Sequence, residues 1–264
     1  MSDYSLRLSD AEVGRYGQMA EAAREDERDL WEAAGVRPGA RVADVGCGPG
    51  AISAVLARLV GPSGGVRGVD RDASALAAAR ELAARSGLAN AAFSQGDADA
   101  TGLEPGSFDV VMMRHVLAHN GGREQAIVDH LASLARPGGT VYLVDVDAGR
   151  RGAPVLPGLE DLEEAYRALH AKRGNDLTIG RRLPDLLTAA GLEGARADDR
   201  GRTIGLRPGM RPPSWAAREA LVSEGLATRG DLSRWAGVLD RLDGEGMPYE
   251  IEISQVCARA RRPR

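Results

Sequence analysis

The chain has 264 residues, 43% of them hydrophobic, and a formal net charge of −4 at pH 7, which fits one domain and argues against a general nucleic-acid binder. No apolar run approaches the ~18 residues that span a membrane, and Met1–Asp10 lacks the charged-then-apolar pattern of a signal peptide. The two cysteines, Cys47 and Cys257, stand far apart, so we expect a reduced, cytoplasmic protein rather than a disulfide scaffold.

Helical periodicity begins near the N-terminus. Ser9 and Glu12 form a capping box, and apolar residues then recur at helical spacing. This pattern predicts a helix from about Asp10 to Ala34, ended by Gly35.

An apolar strand runs directly into a glycine-rich turn over residues 42–50. Asp44 stands two residues before the first glycine, and the glycines are Gly46, Gly48 and Gly50. Glycines let the backbone bend sharply and approach a ligand where a side chain would clash. Together with the helix predicted from Ala51, the turn forms the crevice in which open α/β sheets bind nucleotides. The spacing is G-x-G-x-G rather than the dinucleotide pattern, and alone it also fits an ordinary tight turn.

Further strands follow, each a short apolar run that ends at polar or charged residues. They cover residues 65–70, 91–98, 107–115 and 141–146. Asp70 ends the second strand at about the spacing at which a carboxylate binds ribose hydroxyls in such folds. The third strand ends at Asp97 and Ala98, and the fourth at Arg114 and His115.

After the fifth strand the sequence changes character. Residues 148–157 are rich in glycine, proline and arginine and predict a loop. Helices are then predicted over residues 158–171, 180–191, 214–224 and 230–242, and strands over residues 194–205 and 249–259.

The order and spacing of these motifs over residues 40–147 resemble class I S-adenosylmethionine (SAM) dependent methyltransferases. The resemblance implies an α/β, Rossmann-like fold with a seven-stranded sheet in the order 3-2-1-4-5-7-6, the last strand antiparallel, and a helical cap. It divides one domain, residues 1–264, into an N-terminal lid helix (1–36), a SAM-binding core (40–147), an acceptor cap (148–180) and a C-terminal part (181–264). The N-terminal helix fits a lid over the cofactor and simple packing on the sheet edge about equally well.

The resemblance implies SAM as the cofactor. Asp44 would neutralise its α-amino group, and Asp70 would bind its ribose hydroxyls. Asp97 would accept the adenine amino group, with Asp99 as a competitor for that role. The other cofactor-binding residues implied are Gly46, Gly48, Gly50, Arg71, Ala98, Arg114 and His115. For Asp44 and Asp70, the alternative is a carboxylate that caps the next helix.

Residues 114–120 resemble the small-molecule methyltransferases of ubiquinone and menaquinone biosynthesis. His119 follows His115 by four residues, on the same face if a helical turn forms there. We expect His119 to act as a general base or to orient the acceptor, although a structural histidine fits equally well.

The acceptor pocket has further candidate residues. Asp145 and Asp147 alternate along the fifth strand and so share one face, and we favour Asp147 as the residue that faces the acceptor. Tyr16 and Tyr166 are candidate acceptor contacts, yet each is also an ordinary core or surface aromatic. Other candidates of the same kind are Tyr4, Trp31 and His170.

The absence of motifs typical of other methyltransferases limits the kinds of acceptor that we expect. The signatures of DNA adenine and cytosine methyltransferases do not follow the fourth strand, and no acidic pattern of the catechol O-methyltransferase type is present. Two histidines without a third suitably spaced ligand make a poor metal site. We therefore expect metal-independent transfer to a small-molecule acceptor, with no nucleic-acid partner and no membrane span. Homodimer formation stays open, as do two other functions: a nonmethylating SAM-dependent enzyme and an inactive SAM-binding or SAH-binding regulatory protein, SAH being the product S-adenosylhomocysteine.

Overall fold

Consecutive apolar residues build the central sheet, as expected for strands that are buried on both faces. Strand β1 (Arg41–Val45) has four buried residues in a row.

A computed structural model describes residues 10–148, 157–206, 209, 211–246, 249–253 and 255–264. Ser9, Tyr4 and most of the predicted loop 148–157 lie outside these described residues.

The described residues form the following elements. The other strands are β2 (Gly65–Asp70), β3 (Ala91–Gln95), β4 (Phe108–Arg114), β5 (Ala135–Val146), β6 (Glu193–Asp199), β7 (Arg202–Leu206), β8 (Tyr249–Ile253) and β9 (Gln255–Arg261). The helices are α1 (Asp10–Asp26), α2 (Arg28–Ala34), α3 (Ala51–Val60), α4 (Ala73–Arg85), α5 (Glu124–Leu134), α6 (Glu160–Lys172), α7 (Leu183–Ala189), α8 (Pro213–Ala216), α9 (Arg218–Ser223) and α10 (Arg229–Gly244). Short 3-10 turns cover Leu117–His119 and Ile179–Arg182.

The sheet topology confirms the predicted fold class. The seven-stranded sheet has the order β3-β2-β1-β4-β5-β9-β6, which is 3-2-1-4-5-7-6 when β9 is counted as the seventh strand. Strands β1 to β5 pair in parallel, and β9 is antiparallel to both β5 and β6. The carboxyl ends of β1, β2, β3, β4 and β5 therefore meet at one edge of the sheet, where open α/β sheets bind ligands.

Helices cover both faces of the sheet. Successive residues of β1 point to opposite faces, so that Val45 joins the core beneath α5 and α7 whereas Val42 joins the core beneath α2 and α3. Every β1 position from Val42 to Val45 is thus shielded from water, and the apolar run in the sequence is explained.

The last two predicted strands are wrong in their extent. The strand predicted over residues 194–205 divides into β6 and β7, and the strand predicted over residues 249–259 divides into β8 and β9. β5 ends at Val146, where it pairs with Gln255, so the sheet offers no neighbour beyond that point. β7 and β8 instead pair with each other as a separate antiparallel ribbon.

The N-terminal helix is likewise not continuous. The chain leaves helical geometry at Glu27, with φ −117° and ψ 11°, between α1 and α2. The Glu27 side chain is fully buried and bonded to several donors, which fixes the break.

A third apolar core lies among helices outside the sheet. Leu162 of α6 packs there with Leu221 of α9 and Trp235 of α10. α9 and α10 follow the segment 148–180 that the sequence predicts as the cap. α6 is therefore held by helices from much later in the chain.

Candidate active site

The glycine turn after β1 leaves an open space at its centre. Gly46, Gly48 and Gly50 have φ values of 76°, 52° and 77°, a region that disfavours other residues. A Cβ on Gly46 would lie 2.3 Å from Val116, and one on Gly50 would lie 2.7 Å from Ala79. A Cβ on Gly48 would meet nothing within 4 Å. Two glycines thus permit close packing, while the backbone at Gly48 faces free space.

Asp70 stands beside this turn at the end of β2. Its carboxylate accepts hydrogen bonds from the backbone N–H of Gly48 at 2.8 Å and of Asp72 at 2.9 Å. Each carboxylate oxygen has a second lone pair, so the group can accept two further hydrogen bonds from a ligand. Asp72, not Asp70, is the N-cap of α4, which removes the alternative that Asp70 caps that helix.

Asp44 is a buried carboxyl group at the end of β1. Its side chain is 2% exposed and accepts a hydrogen bond from the Ser53 hydroxyl at 2.5 Å. Burial raises the pKa of Asp44 to about 6, because the charged form loses its hydration. The N-cap of α3 is Gly50, so Asp44 does not cap that helix either. A cationic ligand group next to Asp44 would relieve the cost of its buried charge.

The adenine role has two candidate carboxylates, which the structure separates. Asp99 forms an ion pair with Arg123 at 2.6 Å. Asp97 is exposed at the end of β3, next to Ala98, which packs partly buried against the core. Because Asp99 is already paired, Asp97 is the better placed to meet a ligand.

The end of β4 has two unusual features, an ion-paired arginine and a histidine with positive φ. The Arg114 guanidinium binds Glu27 with two hydrogen bonds, of 2.5 and 2.9 Å, so its side chain is directed to the N-terminal helices. His115 has φ 54°, and it is the one non-glycine residue with positive φ among the described residues. Burial, with Arg114 next to it, lowers the pKa of His115 to about 4. His115 is thus a neutral, conformationally constrained residue at neutral pH.

His119 lies in the 3-10 turn that follows β4 and packs against α6, a helix outside the sheet. Its ring centroid is 5.4 Å from that of His170, which in turn lies 4.5 Å from the Tyr166 ring. The pKa of His119 is lowered by burial and by the positive charge of Arg71, which follows Asp70. The structure thus brings His119 next to Tyr166 and His170, which lie one turn apart on α6 and are remote from His119 in the sequence.

The two aspartates at the end of β5 have different roles. Asp145 accepts hydrogen bonds from the backbone N–H of Ala118 at 3.2 Å and of Val146 at 2.9 Å, so it holds the 3-10 turn that carries His119. Asp147 is 7% exposed, and both of its oxygens lie 2.8 Å from Nε of Arg181. The favoured residue Asp147 therefore lies at the strand end as an ion-paired carboxylate.

Tyr16 lies apart from the acceptor candidates His119, Tyr166 and His170. It packs partly buried against the core beneath α2 and α3, which is a different cluster from that of His119, Tyr166 and His170. Trp31 belongs to the same core, and its indole N–H donates to Glu27. The structure therefore favours packing roles for Tyr16 and Trp31.

Glu27 is the residue that sequence reasoning missed. It lies in a run of charged residues, 24–29, which is typical of a solvated helix face. Instead it is fully buried and accepts hydrogen bonds from Tyr142 at 2.7 Å and Gln255 at 2.7 Å, besides those from Arg114. These three partners lie on β4, β5 and β9, far from Glu27 in the sequence, so no local sequence signal could have found them.

Two further structural findings concern the part of the chain that the structure describes. No three histidine, cysteine, aspartate or glutamate side chains are grouped there so that they could hold a metal ion. Each helix there is too short or too polar to cross a membrane.

The chain is similar to known methyltransferases. Residues 37–189, more than half of the chain, match a family described as a methyltransferase domain. An arsenite methyltransferase of Aquipseudomonas alcaligenes is 39% identical over 125 residues, 45% of this chain and 36% of that protein. A ubiquinone biosynthesis O-methyltransferase of Cupriavidus pinatubonensis is 38% identical over 110 residues, 41% of this chain and 42% of that protein. The chain thus matches less than half the length of these two curated relatives.

Similarity to solved structures extends over nearly the whole chain. A phosphoethanolamine N-methyltransferase of Haemonchus contortus, in complex with phosphomonomethylethanolamine and S-adenosylhomocysteine, has a TM-score of 0.62 at 17% identity. The superposition covers 98% of this chain and 59% of that one. At this identity the likeness shows a shared fold.

Proposed function

Since this chain belongs to the class I SAM-dependent methyltransferase family, we propose that it transfers a methyl group from SAM to a small-molecule acceptor. The observation that carries the proposal is the pair of carboxylates, Asp44 and Asp70, on either side of a glycine turn with open space at Gly48. A buried carboxyl suits the cationic α-amino group of SAM, and a carboxylate with free lone pairs suits a ribose diol. The residues present therefore fit this cofactor.

The residues around the turn would hold the cofactor along its length. Asp44 would pair with the α-amino group and Asp70 with the ribose hydroxyls, while Asp97 would accept the adenine amino group. The backbone carbonyls of Arg114 and His115, where β4 ends, would lie near the methyl group. When bound, SAM supplies an electrophilic methyl group on a sulfonium.

The chain's own contribution to the reaction is chiefly positioning. Holding the acceptor and the methyl group in line is worth up to about 7–11 kcal/mol in favourable cases. His119 packs against His170 of α6, and burial and the charge of Arg71 lower its pKa, so a neutral imidazole could take a proton from an acceptor hydroxyl or amine. Asp147 is ion-paired with Arg181, which favours a role in orienting the acceptor and leaves it as the second candidate base.

The cysteines argue against arsenite as the acceptor, although an arsenite methyltransferase is among the relatives. Trivalent arsenic binds to thiolates, and the chain has only two cysteines. Both are buried, and burial raises the pKa of Cys257 to about 11 and that of Cys47 well above its usual value. Neither offers an accessible thiolate, so we propose an acceptor that reacts through oxygen, nitrogen or carbon.

The proposal is tested by incubating the purified protein with methyl-labelled SAM and a small-molecule extract. We expect label in an extract component, together with an equal amount of SAH. Formation of a product without label would indicate a nonmethylating SAM-dependent enzyme. Tight SAH binding without any turnover would indicate an inactive regulatory protein.

A further inference from the structure

The break between α1 and α2 contains a buried carboxylate. Glu27 is 0% exposed, although it lies at a break between two helices of the N-terminal segment. A charge buried in this way is costly unless it is paired and hydrogen-bonded. Burial alone would raise the pKa of Glu27, but Arg114 and the other donors outweigh burial and hold that pKa below its usual value.

The donors to Glu27 come from four different elements. Arg114 on β4 binds both oxygens, at 2.5 and 2.9 Å. Tyr142 on β5 and Gln255 on β9 each donate at 2.7 Å, and Trp31 on α2 donates at 3.1 Å. One carboxylate therefore ties the N-terminal helices to three adjacent strands of the sheet.

These contacts converge on the turn at the end of β4. Arg114 directly precedes His115, whose φ of 54° is costly for any residue with a Cβ. Gln255 donates to Glu27, and its side chain also acts on the pKa of the His115 imidazole, which it raises against the effect of burial. Glu27 thus reaches both residues of the turn, Arg114 directly and His115 through Gln255.

We propose that Glu27 is a positioning residue, which holds the Arg114–His115 turn in the geometry needed at the methyl-transfer site and couples it to the N-terminal helices. The inference rests on the proposed function, because the turn lies next to the methyl group only if SAM binds at the glycine turn. Glu27 itself contacts Arg114 and Gln255, and it acts through them.

The test compares three variants in calorimetric titrations with SAH, each at a temperature at which circular dichroism shows it folded. Glu27→Gln keeps the size of the side chain but removes the charge. We expect its affinity for SAH to fall at least about tenfold. Glu32→Gln is the matched control, since Glu32 lies on the next turn and forms an exposed ion pair with Arg28. Its affinity should stay within twofold of the wild type.

The double variant Glu27→Gln, Arg114→Met separates positioning from simple stability. It leaves no unpaired guanidinium in the core, so its melting temperature should recover towards that of the wild type. Its SAH affinity should stay low, because the turn has lost its anchor. Recovery of both quantities together would overturn the proposal, since Glu27 would then act only through stability.

The NMR signal of the His115 imidazole reports on the turn without any ligand. We expect it to shift in Glu27→Gln and in the double variant, and to stay in place in Glu32→Gln. Wild-type protein that does not bind SAH contradicts the proposed function. If the wild type binds SAH, and Glu27→Gln binds it equally well with an unshifted His115 signal, only the role of Glu27 is contradicted.

Discussion

Cofactor affinity should depend on pH through Asp44. The carboxyl is 2% exposed, and burial raises its pKa to about 6. The α-amino group of SAH is a cation at neutral pH, so it binds to the ionised form of Asp44. Because the ionised fraction grows as pH rises through 6, affinity for SAH should increase from pH 5 to pH 7.

The size of the effect follows from the ionised fraction. With a pKa of about 6, Asp44 is about one tenth ionised at pH 5 and about nine tenths ionised at pH 7. Apparent affinity scales with the competent fraction, so the dissociation constant should fall about tenfold over this range. The cofactor-free protein should show the opposite trend: with a folded pKa above the unfolded value, the contribution of Asp44 to stability is present below about pH 4 and is lost as pH rises through 6.

Calorimetry at pH 5, 6 and 7, in two buffers of different ionisation enthalpy, measures both the affinity and the protons released. Asp44→Asn should bind SAH weakly at every pH, and its dissociation constant should not show the tenfold fall from pH 5 to pH 7. Asp145 also has a pKa of about 6 because it is buried, but its carboxylate accepts from the backbone of Ala118 and Val146 rather than standing beside the glycine turn. Asp129→Asn, on the exposed face of α5, is the control that should keep the slope. An Asp44→Asn variant with the wild-type slope would refute the pairing.

Three further predictions concern the ribose contact, metals and the base. Asp70→Ala should weaken SAH binding roughly ten- to a hundredfold in a protein that still folds, since a charge-assisted hydrogen bond is worth ~1.5–3 kcal/mol; an unchanged affinity in the titration would place the ribose elsewhere. Methyl transfer should survive EDTA, and loss of label transfer that magnesium restores would contradict metal independence. His119→Ala should lower the turnover rate by about 10²–10⁴-fold in the labelled-extract assay while SAH affinity stays within about twofold. Normal turnover in that variant would make His119 a packing residue and move the base to Asp147.

The sequence predicted the sheet and the cofactor turn because both depend on local patterns. Gly46 and Gly50 need to be glycine, since Val116 and Ala79 leave no room for a Cβ, and that requirement is visible as a motif. The carboxyl ends of parallel strands always share an edge, so Asp44 and Asp70 could be placed on either side of the turn without coordinates.

What the sequence could not predict depends on partners that are remote in the chain. In the sequence, Glu27 resembles a solvated acid on a helix face. Its donors Arg114 and Gln255 lie on β4 and β9, so the local sequence does not reveal that it is buried. β7 and β8 pair with each other beyond Val146, where β5 ends. The end of β5 cannot be predicted from the residues of β7 or β8. Long-range pairing of this kind leaves no periodic signal in the segments that take part.

A crystal structure of the protein with SAH tests the central claim most directly. The account predicts the ribose hydroxyls on Asp70, the α-amino group at Asp44 and the adenine amino group at Asp97, with the sulfur next to the backbone that follows β4. SAH bound away from the glycine turn, or protein that stays unliganded at millimolar SAH, would contradict it.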